Sequence, residues 1–128
     1  MTTLLLADIE RAILGSWSAE TCTPEYRSRW TPDNPARDQC GVTAMVLNDL
    51  VGGELLRGEV RVGGERVDYH WWNRLGMGVE IDLTREQFVP EETVTEGIAI
   101  PRPPGSEWAR LREEYELLHG RVMEKLAS

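Results

Sequence analysis

The chain has 128 residues, of which 41% are apolar, and its formal net charge at neutral pH is −8. These values are ordinary for a globular protein with a single core, and we expect one domain spanning residues 1–128. The acidic balance argues against a general affinity for nucleic acid or for anionic membranes, because both bind proteins through clustered positive charge.

The composition also bears on location and on cofactors. No apolar run approaches the roughly 20 residues that a membrane-spanning helix needs. The first residues, MTTLLLADIERAIL, lack the basic flank and cleavage site of a secretion signal, so we expect a cytoplasmic protein. The two cysteines, Cys22 and Cys40, are too few for a disulfide framework or a thiolate-rich zinc site. We therefore expect a free thiol and neither a cofactor nor a bound metal.

The first part of the chain predicts two helices separated by a long loop. Apolar residues recur at helical spacing between residues 5 and 13, and Gly15 ends this helix. From residue 16 to 39 the pattern dissolves into small polar residues and prolines around three aromatic side chains, which is typical of an irregular loop. A second helix is predicted from Cys40 through Val51. Since it is apolar almost all round, it should be buried.

The middle of the chain predicts an antiparallel sheet. Strands are expected over residues 54–62, 66–74 and 79–83, with turns at Gly63-Gly64 and at Gly76-Met77-Gly78. Thr84 is expected to cap a short helical turn over residues 85–88. The stretch 89–97 shows no clear pattern, and a short strand is predicted at residues 98–100.

A last helix is predicted after a proline-rich connector. Ser106 is its expected N-cap, and it should run to about Leu126. Its expected buried stripe consists of Trp108, Leu111, Tyr115, Leu118, Val122 and Leu126. The order of helix, loop, buried helix, antiparallel sheet and helix belongs to the α+β class.

Cys40 is the most informative residue for chemistry, because it lies where the irregular loop meets the buried helix. The amide groups of a first helical turn and the positive end of the helix dipole stabilise an anion, which favours a reactive thiolate. A free cysteine is as often a small buried apolar residue. Position alone leaves both interpretations open.

His70, one of only two histidines, lies in a predicted strand between large aromatic residues, where it is rigid and shielded enough to serve as a base. The alternative is a partly buried sheet histidine bonded to the backbone. If the predicted hairpin forms, His70, Trp72, Glu80 and Asp82 share one face. Asp82 can then orient the imidazole, as the third member of a catalytic triad does. Glu80 competes for that role, and the strand register decides between them.

A developing oxyanion needs hydrogen-bond donors, and the backbone amide of Cys40 is one candidate. The side-chain amides of Asn34 and Gln39 are candidates for a second donor, although either can instead be a turn residue or brace the loop. Trp30 and Trp72 are candidate substrate-binding residues, and buried tryptophans are as often plain core.

The pattern of these residues in the sequence resembles that of a known family. A cysteine at the start of a helix, a histidine on a strand and an acid on the next strand resemble the papain-like superfamily of peptidases, amidases, transglutaminase-like proteins and deamidating toxins. Within it, the strings SWSAET, WTPDNPARDQCGVTA, HWWN and IDLTREQF closely resemble the bacterial family called YunG-like, and EEYELLHGRV is similar to its final helix. The resemblance covers most of the chain. It implies a papain-like core, with catalytic roles for Cys40, His70 and Asp82, and it supports Asn34, six residues before the cysteine, as an oxyanion donor.

The implied activity is a thioester on Cys40, formed from an amide or acyl substrate and resolved by water or by an amine. A chain this short has no room for the second lobe of larger members, which favours a small-molecule or short peptide substrate, and a homodimer could complete the pocket. One alternative is a non-catalytic binding module that keeps the fold. Another is a zinc site built from Cys40, His70 and Asp82. Cys22 and His119 are not expected to act directly.

Overall fold

The computed structural model describes residues 5–101 and 111–127. Within them the fold is α+β, with α-helices packed on an antiparallel sheet of five strands in the order β3-β2-β1-β4, and with β5 also paired to β1. The helices are α1 (Leu6–Leu14), α2 (Cys40–Val51) and α3 (Arg112–Ala127). The strands are β1 (Glu54–Val62), β2 (Glu65–Arg74), β3 (Glu80–Ile81), β4 (Glu92–Val94) and β5 (Ile98–Ile100).

The three helices share one apolar core. Helix α2 is its centre, because residues 42–47 are all buried, as the sequence predicts. Helices α1 and α3 contribute residues at three- and four-residue spacings, which is how an amphipathic helix presents one apolar face. The main buried members are Ile9, Ile13, Val42, Val46, Leu47, Leu118 and Val122. The amino end of α2, where Cys40 lies, is thereby held on a rigid support.

The long loop before α2 is ordered by short 3₁₀ helices and by aromatic side chains. Ala19–Thr21 and Pro24–Arg29 form 3₁₀ helices inside the predicted irregular region. The indole N–H of Trp17 donates to the hydroxyl of Thr43 at 2.9 Å, and that of Trp30 donates to the carbonyl of Pro35 at 3.0 Å. These bonds fix the loop against α2 and against itself.

Strands β1 and β2 form a hairpin whose turn is Gly63-Gly64, as predicted. Both glycines have positive φ, +60° and +84°, which a two-residue hairpin turn requires. The register places Gly58 of β1 opposite His70 of β2. The indole ring of Trp72 lies against Gly58, where a side chain would not fit.

Several boundaries differ from the prediction for local reasons. Strand β3 pairs with β2 at only two positions, so the predicted strand over 79–83 is mostly loop. Thr84 precedes a 3₁₀ turn, Arg85–Gln87, but its side chain accepts no capping bond, and its hydroxyl donates to Asp82. Strand β4 lies in the stretch that showed no pattern. Its three residues pair with β1 and are too few to carry a periodic signal.

The final helix agrees with the prediction over its described length. Leu111, Leu118 and Val122 are buried, while Tyr115 and Leu126 are half-buried against the same core. The helix continues past Gly120. The predicted N-cap Ser106 and the stripe residue Trp108 lie outside the described residues. In the parts of the chain that the structure covers, no helix has the length and apolar character that crossing a membrane requires.

We predict that Gly58→Ala destabilises the protein by roughly 1–3 kcal/mol, the usual cost of overpacking. A Cβ at this position would lie 2.7 Å from the carbonyl oxygen of Thr95 and 2.8 Å from the ring of Trp72. Urea-induced unfolding measures the effect. Gly120→Ala is the matched control, because no atom lies within 4 Å of its Cβ and alanine is the better helix former. Equal stabilities for Gly58→Ala and the wild type would contradict this packing.

Candidate active site

His70 and Asp82 form the most closely defined contact of the site. The imidazole of His70 is fully buried, and its Nε2 lies 2.6 Å from a carboxylate oxygen of Asp82. Since an ionised carboxylate only accepts hydrogen bonds, Nε2 carries the proton of this bond. The ring stacks on Trp72 at 5.3 Å between centroids and meets the ring of Phe88 edge to face at 4.7 Å. The imidazole is therefore packed against two aromatic rings and bonded at one nitrogen.

The register of the β2–β3 hairpin decides which acid reaches the imidazole. Arg74 pairs with Glu80, so His70, Trp72, Glu80 and Asp82 lie along one face. The carboxylate of Glu80 accepts from the indole N–H of Trp72 at 2.7 Å, and that of Asp82 meets His70. The second oxygen of Asp82 accepts from the backbone N–H of Thr84 at 3.2 Å. Asp82, and not Glu80, thus orients the ring.

The other nitrogen of His70 is the one available to Cys40, the second side chain that interacts with the ring. Nδ1 is buried and forms no hydrogen bond with any described residue. Burial lowers the pKa of His70, but the hydrogen bond with Asp82, the proximity of the Cys40 thiol and the charges of both outweigh it and raise the pKa to about 9. Because Nε2 is bound to Asp82, Nδ1 is the nitrogen left for the sulfur. The structure therefore brings together Cys40, His70 and Asp82 in that order.

Cys40 is the first residue of α2 and is partly exposed. No described residue accepts a hydrogen bond from the backbone N–H of Cys40 or of Gly41, as is usual in a first helical turn. Both residues line a cleft of about 580 Å³. The cleft thus has a thiol with two unused amide donors beside it, which suits a carbonyl group that becomes an oxyanion.

The cleft is also lined by aromatic rings and by charged groups. Its aromatic members are Tyr26, Tyr69, Trp71 and Phe88. Arg29 binds the carboxylate of Asp38 through two bonds of 2.7 Å, and Arg37 binds Glu92 at 2.7 Å. Arg57 also lines the cleft. The walls therefore combine apolar and charged groups.

Gln87 is a residue that the sequence did not single out, and it connects the acid to the segment before the cysteine. Its side chain donates to the carbonyl of Thr84 at 3.1 Å and accepts from the backbone N–H of Asp38 at 3.0 Å. Its own carbonyl accepts from Asn34 and from Arg37, both at 3.0 Å. Gln87 is buried, and every polar group of its amide is used. The turn that follows Asp82 is thereby bonded to the residues just before Cys40.

The predicted side-chain donors to an oxyanion are placed elsewhere. The amide of Asn34 donates to the carbonyl of Gln87, and Asn34 does not line the cleft. Gln39 is fully buried, where its oxygen accepts from Thr21 at 2.7 Å and its nitrogen donates to the carbonyl of Ser18 at 2.9 Å. Both amides hold the loop in place, because each is consumed by a long-range contact that local spacing does not reveal.

The two tryptophans predicted to bind substrate have structural contacts instead. Trp30 is bonded to Pro35 within the loop, and Trp72 is buried between His70 and Gly58. Neither lines the cleft, whereas Trp71, on the opposite face of β2 from Trp72, does. Adjacent residues of a strand point to opposite sides of the sheet, which explains why Trp71 and not Trp72 lines the cleft.

Cys22 and His119 lie apart from this arrangement. Cys22 is fully buried, and burial followed by the charge of Asp38 raises the pKa of its thiol to about 11. His119 lies within α3 beside the ring of Tyr115. Over residues 5–101 and 111–127, no group of three or more histidine, cysteine or acidic side chains has the arrangement of a metal site.

We predict that His70 titrates with a pKa of about 9 and that Asp82→Asn lowers this value, because the variant removes the charge that stabilises the imidazolium. NMR of the imidazole carbons as a function of pH measures the titration, and only two histidines contribute signals. Glu80→Gln is the matched control, since Glu80 bonds to Trp72 instead.

The raised pKa of His70 determines how the stability of the folded protein depends on pH. The folded pKa lies above the unfolded value of 6.5, so the stability that protonated His70 contributes is complete below about pH 6.5. It is lost as the pH rises through about 9. A His70 signal that titrates near 6.5, or one that Asp82→Asn leaves unchanged, would contradict the coupling.

Comparisons with known proteins identify the family to which the chain belongs. The model of the YunG protein family matches residues 5–127. The "Uncharacterized protein YunG" of Bacillus subtilis (strain 168) is 39% identical over 75 residues, which is 57% of this chain and 54% of that protein. The alignment thus spans about half the length of that relative. No solved structure matches. Since the family model covers nearly all of the sequence, the chain belongs to the YunG family.

Proposed function

We propose that this protein is a papain-like cysteine enzyme that forms a thioester on Cys40. The observation that carries the proposal is the buried imidazole of His70, which is bonded at Nε2 to Asp82, has no hydrogen-bond partner at Nδ1, and lies close enough to Cys40 for that side chain to raise its pKa. A residue held in this way is suited to take a proton from the thiol and return it. A sheet histidine with only a structural role has no need for a buried, unpartnered nitrogen close to a thiol.

The first step forms the thioester. At neutral pH His70 holds the proton as an imidazolium beside the Cys40 thiolate, and the thiolate attacks the carbonyl carbon of an amide in the cleft. The new C–S bond converts the carbonyl to an oxyanion, which accepts from the backbone N–H groups of Cys40 and Gly41. Collapse of this intermediate breaks the C–N bond, and the departing amine takes the proton from His70.

The second step resolves the thioester. Water or an amine attacks the thioester carbon while His70 removes its proton. The C–S bond then breaks, which restores the Cys40 thiolate beside the imidazolium of His70. The products are a carboxylic acid after hydrolysis or a new amide after acyl transfer. Asp82 stabilises the imidazolium in both steps and keeps Nε2 protonated.

The cleft sets the class of substrate. A volume of about 580 Å³ is that of a small-molecule pocket and suits a small amide or a short peptide. We place the enzyme in the cytoplasm, where a reducing environment keeps a catalytic thiol free.

We predict that iodoacetamide labels Cys40 well before Cys22 at neutral pH. The reactive form of a cysteine is its thiolate, and the buried Cys22 thiol has its pKa raised to about 11. Peptide mapping by mass spectrometry measures the two rates. His70→Ala should slow the labelling of Cys40 at neutral pH by roughly 10- to 100-fold, because it removes the cation that stabilises the thiolate.

The matched control is His119→Ala, which removes the other histidine and should leave the rate unchanged. Equal slow labelling of both cysteines, or a Cys40 rate that does not depend on His70, would argue for a non-catalytic binding module.

A further inference from the structure

Three arginines line the cleft that contains Cys40, and they differ in their partners. Arg29 is bound to Asp38, and Arg37 is bound to Glu92. Arg57, on β1, forms no hydrogen bond and no ion pair with any residue that the structure describes. Its guanidinium lies over the ring of Tyr69 at 4.5 Å and beside that of Trp71 at 5.8 Å.

That Arg57 forms no ion pair with any described residue is informative because acidic groups are abundant. The chain has 22 acidic residues against 14 basic ones. The two other arginines of the cleft are both paired, so carboxylates are close by. Arg57 is half-buried, which makes an unpaired charge more costly than it would be on the open surface.

The aromatic rings fix the orientation of this guanidinium. Arg57 is paired with Trp71 across the β1–β2 ladder, and Tyr69 follows on the same face. Stacking of a guanidinium on aromatic faces leaves its N–H groups free at the edge. A guanidinium held in one plane binds a carboxylate through two parallel hydrogen bonds with little loss of entropy.

We propose that Arg57 is the substrate-binding residue for a carboxylate, so that the amide attacked by Cys40 belongs to a small molecule or short peptide that also carries a free carboxylate. This inference rests on the proposed function for the site of attack. It adds the chemical class of the substrate. Aromatic rings of the cleft wall contact the chain between amide and carboxylate.

The test compares two alkylating probes that differ in charge. Iodoacetyl-glycine carries a carboxylate, and iodoacetyl-glycinamide is its neutral counterpart; iodoacetyl-β-alanine and its amide vary the reach. For each pair, the rate of alkylation of Cys40 is measured by peptide mapping and divided by the rate with glutathione. For at least one pair we expect the carboxylate probe to react about tenfold faster, the size of one charge-assisted contact. The net charge of −8 acts against such a preference.

Substitutions test whether Arg57 causes the faster reaction of the carboxylate probe. Arg57→Gln should abolish it, and Arg57→Lys should keep part of it. Arg66→Gln is the matched control, because Arg66 also lies over Tyr69 at 4.5 Å but does not line the cleft. It should keep the full ratio. Thermal melting verifies that each variant is folded. No preference in the wild type, or a preference that persists in Arg57→Gln, would overturn the proposal.

A second measurement separates this proposal from the chemistry of the thiol. The Nε–H resonance of Arg57, assigned with Arg57→Lys, is followed by NMR during titration with N-acetylglycine or N-acetylglycinamide. A saturating shift with the carboxylate alone supports the anion site even if Cys40 proves unreactive. The absence of any such shift overturns the anion site and leaves the thioester proposal to its own test.

Discussion

The burial of His70 is the constraint on which the rest of the site depends. An imidazole with no exposed surface must have partners for its polar atoms, because an unmatched polar group inside a protein costs free energy. Asp82 satisfies Nε2, and the aromatic rings of Trp72 and Phe88 exclude water from the imidazole faces. Nδ1 is left for Cys40. The same burial that would lower the pKa of His70 also strengthens its bond to Asp82, since charges interact more strongly away from water.

Two elements far apart in sequence must keep their relative position for this arrangement to work. Cys40 starts a helix, whereas Asp82 follows a strand of two residues that alone is too short to hold it. Gln87 supplies the missing connection, because its buried amide joins the turn after Asp82 to the backbone of Asp38. Asp38 itself has a left-handed φ of 60° and is held by Arg29. A strained residue two positions before the cysteine is retained because its contacts fix it.

The parts of the site that the sequence predicts are those governed by local periodicity. The helix beginning at Cys40 follows from apolar pattern, and the common face of His70 and Asp82 follows from strand alternation across a glycine turn. The contacts of Asn34 and Gln39 do not follow from any local rule. Asn34 bonds to a carbonyl 53 residues away, and Gln39 bonds to a hydroxyl 18 residues away. Only the folded chain reveals them.

Arg57 was missed for a related reason. In a strand with one buried face, the sequence pattern places an arginine on the solvent-exposed face. The proposed binding role of Arg57 depends on the aromatic residues that the β1–β2 register places beside it. It also depends on the ion pairs formed by the other two arginines of the cleft. The cleft thus combines a thiol, amide donors and a guanidinium, contributed by a helix and by two strands.

Direct detection of an acyl-enzyme tests the central claim, which is that Cys40 and His70 act together as a nucleophile and its base. The protein is mixed with p-nitrophenyl acetate, quenched in acid, and analysed by intact mass and peptide mapping. The account predicts one acetyl group on Cys40, formed much more slowly in His70→Ala and absent in Cys40→Ser. An acetyl group spread equally over Cys22 and Cys40, or one on Cys40 that forms equally fast without His70, would contradict it.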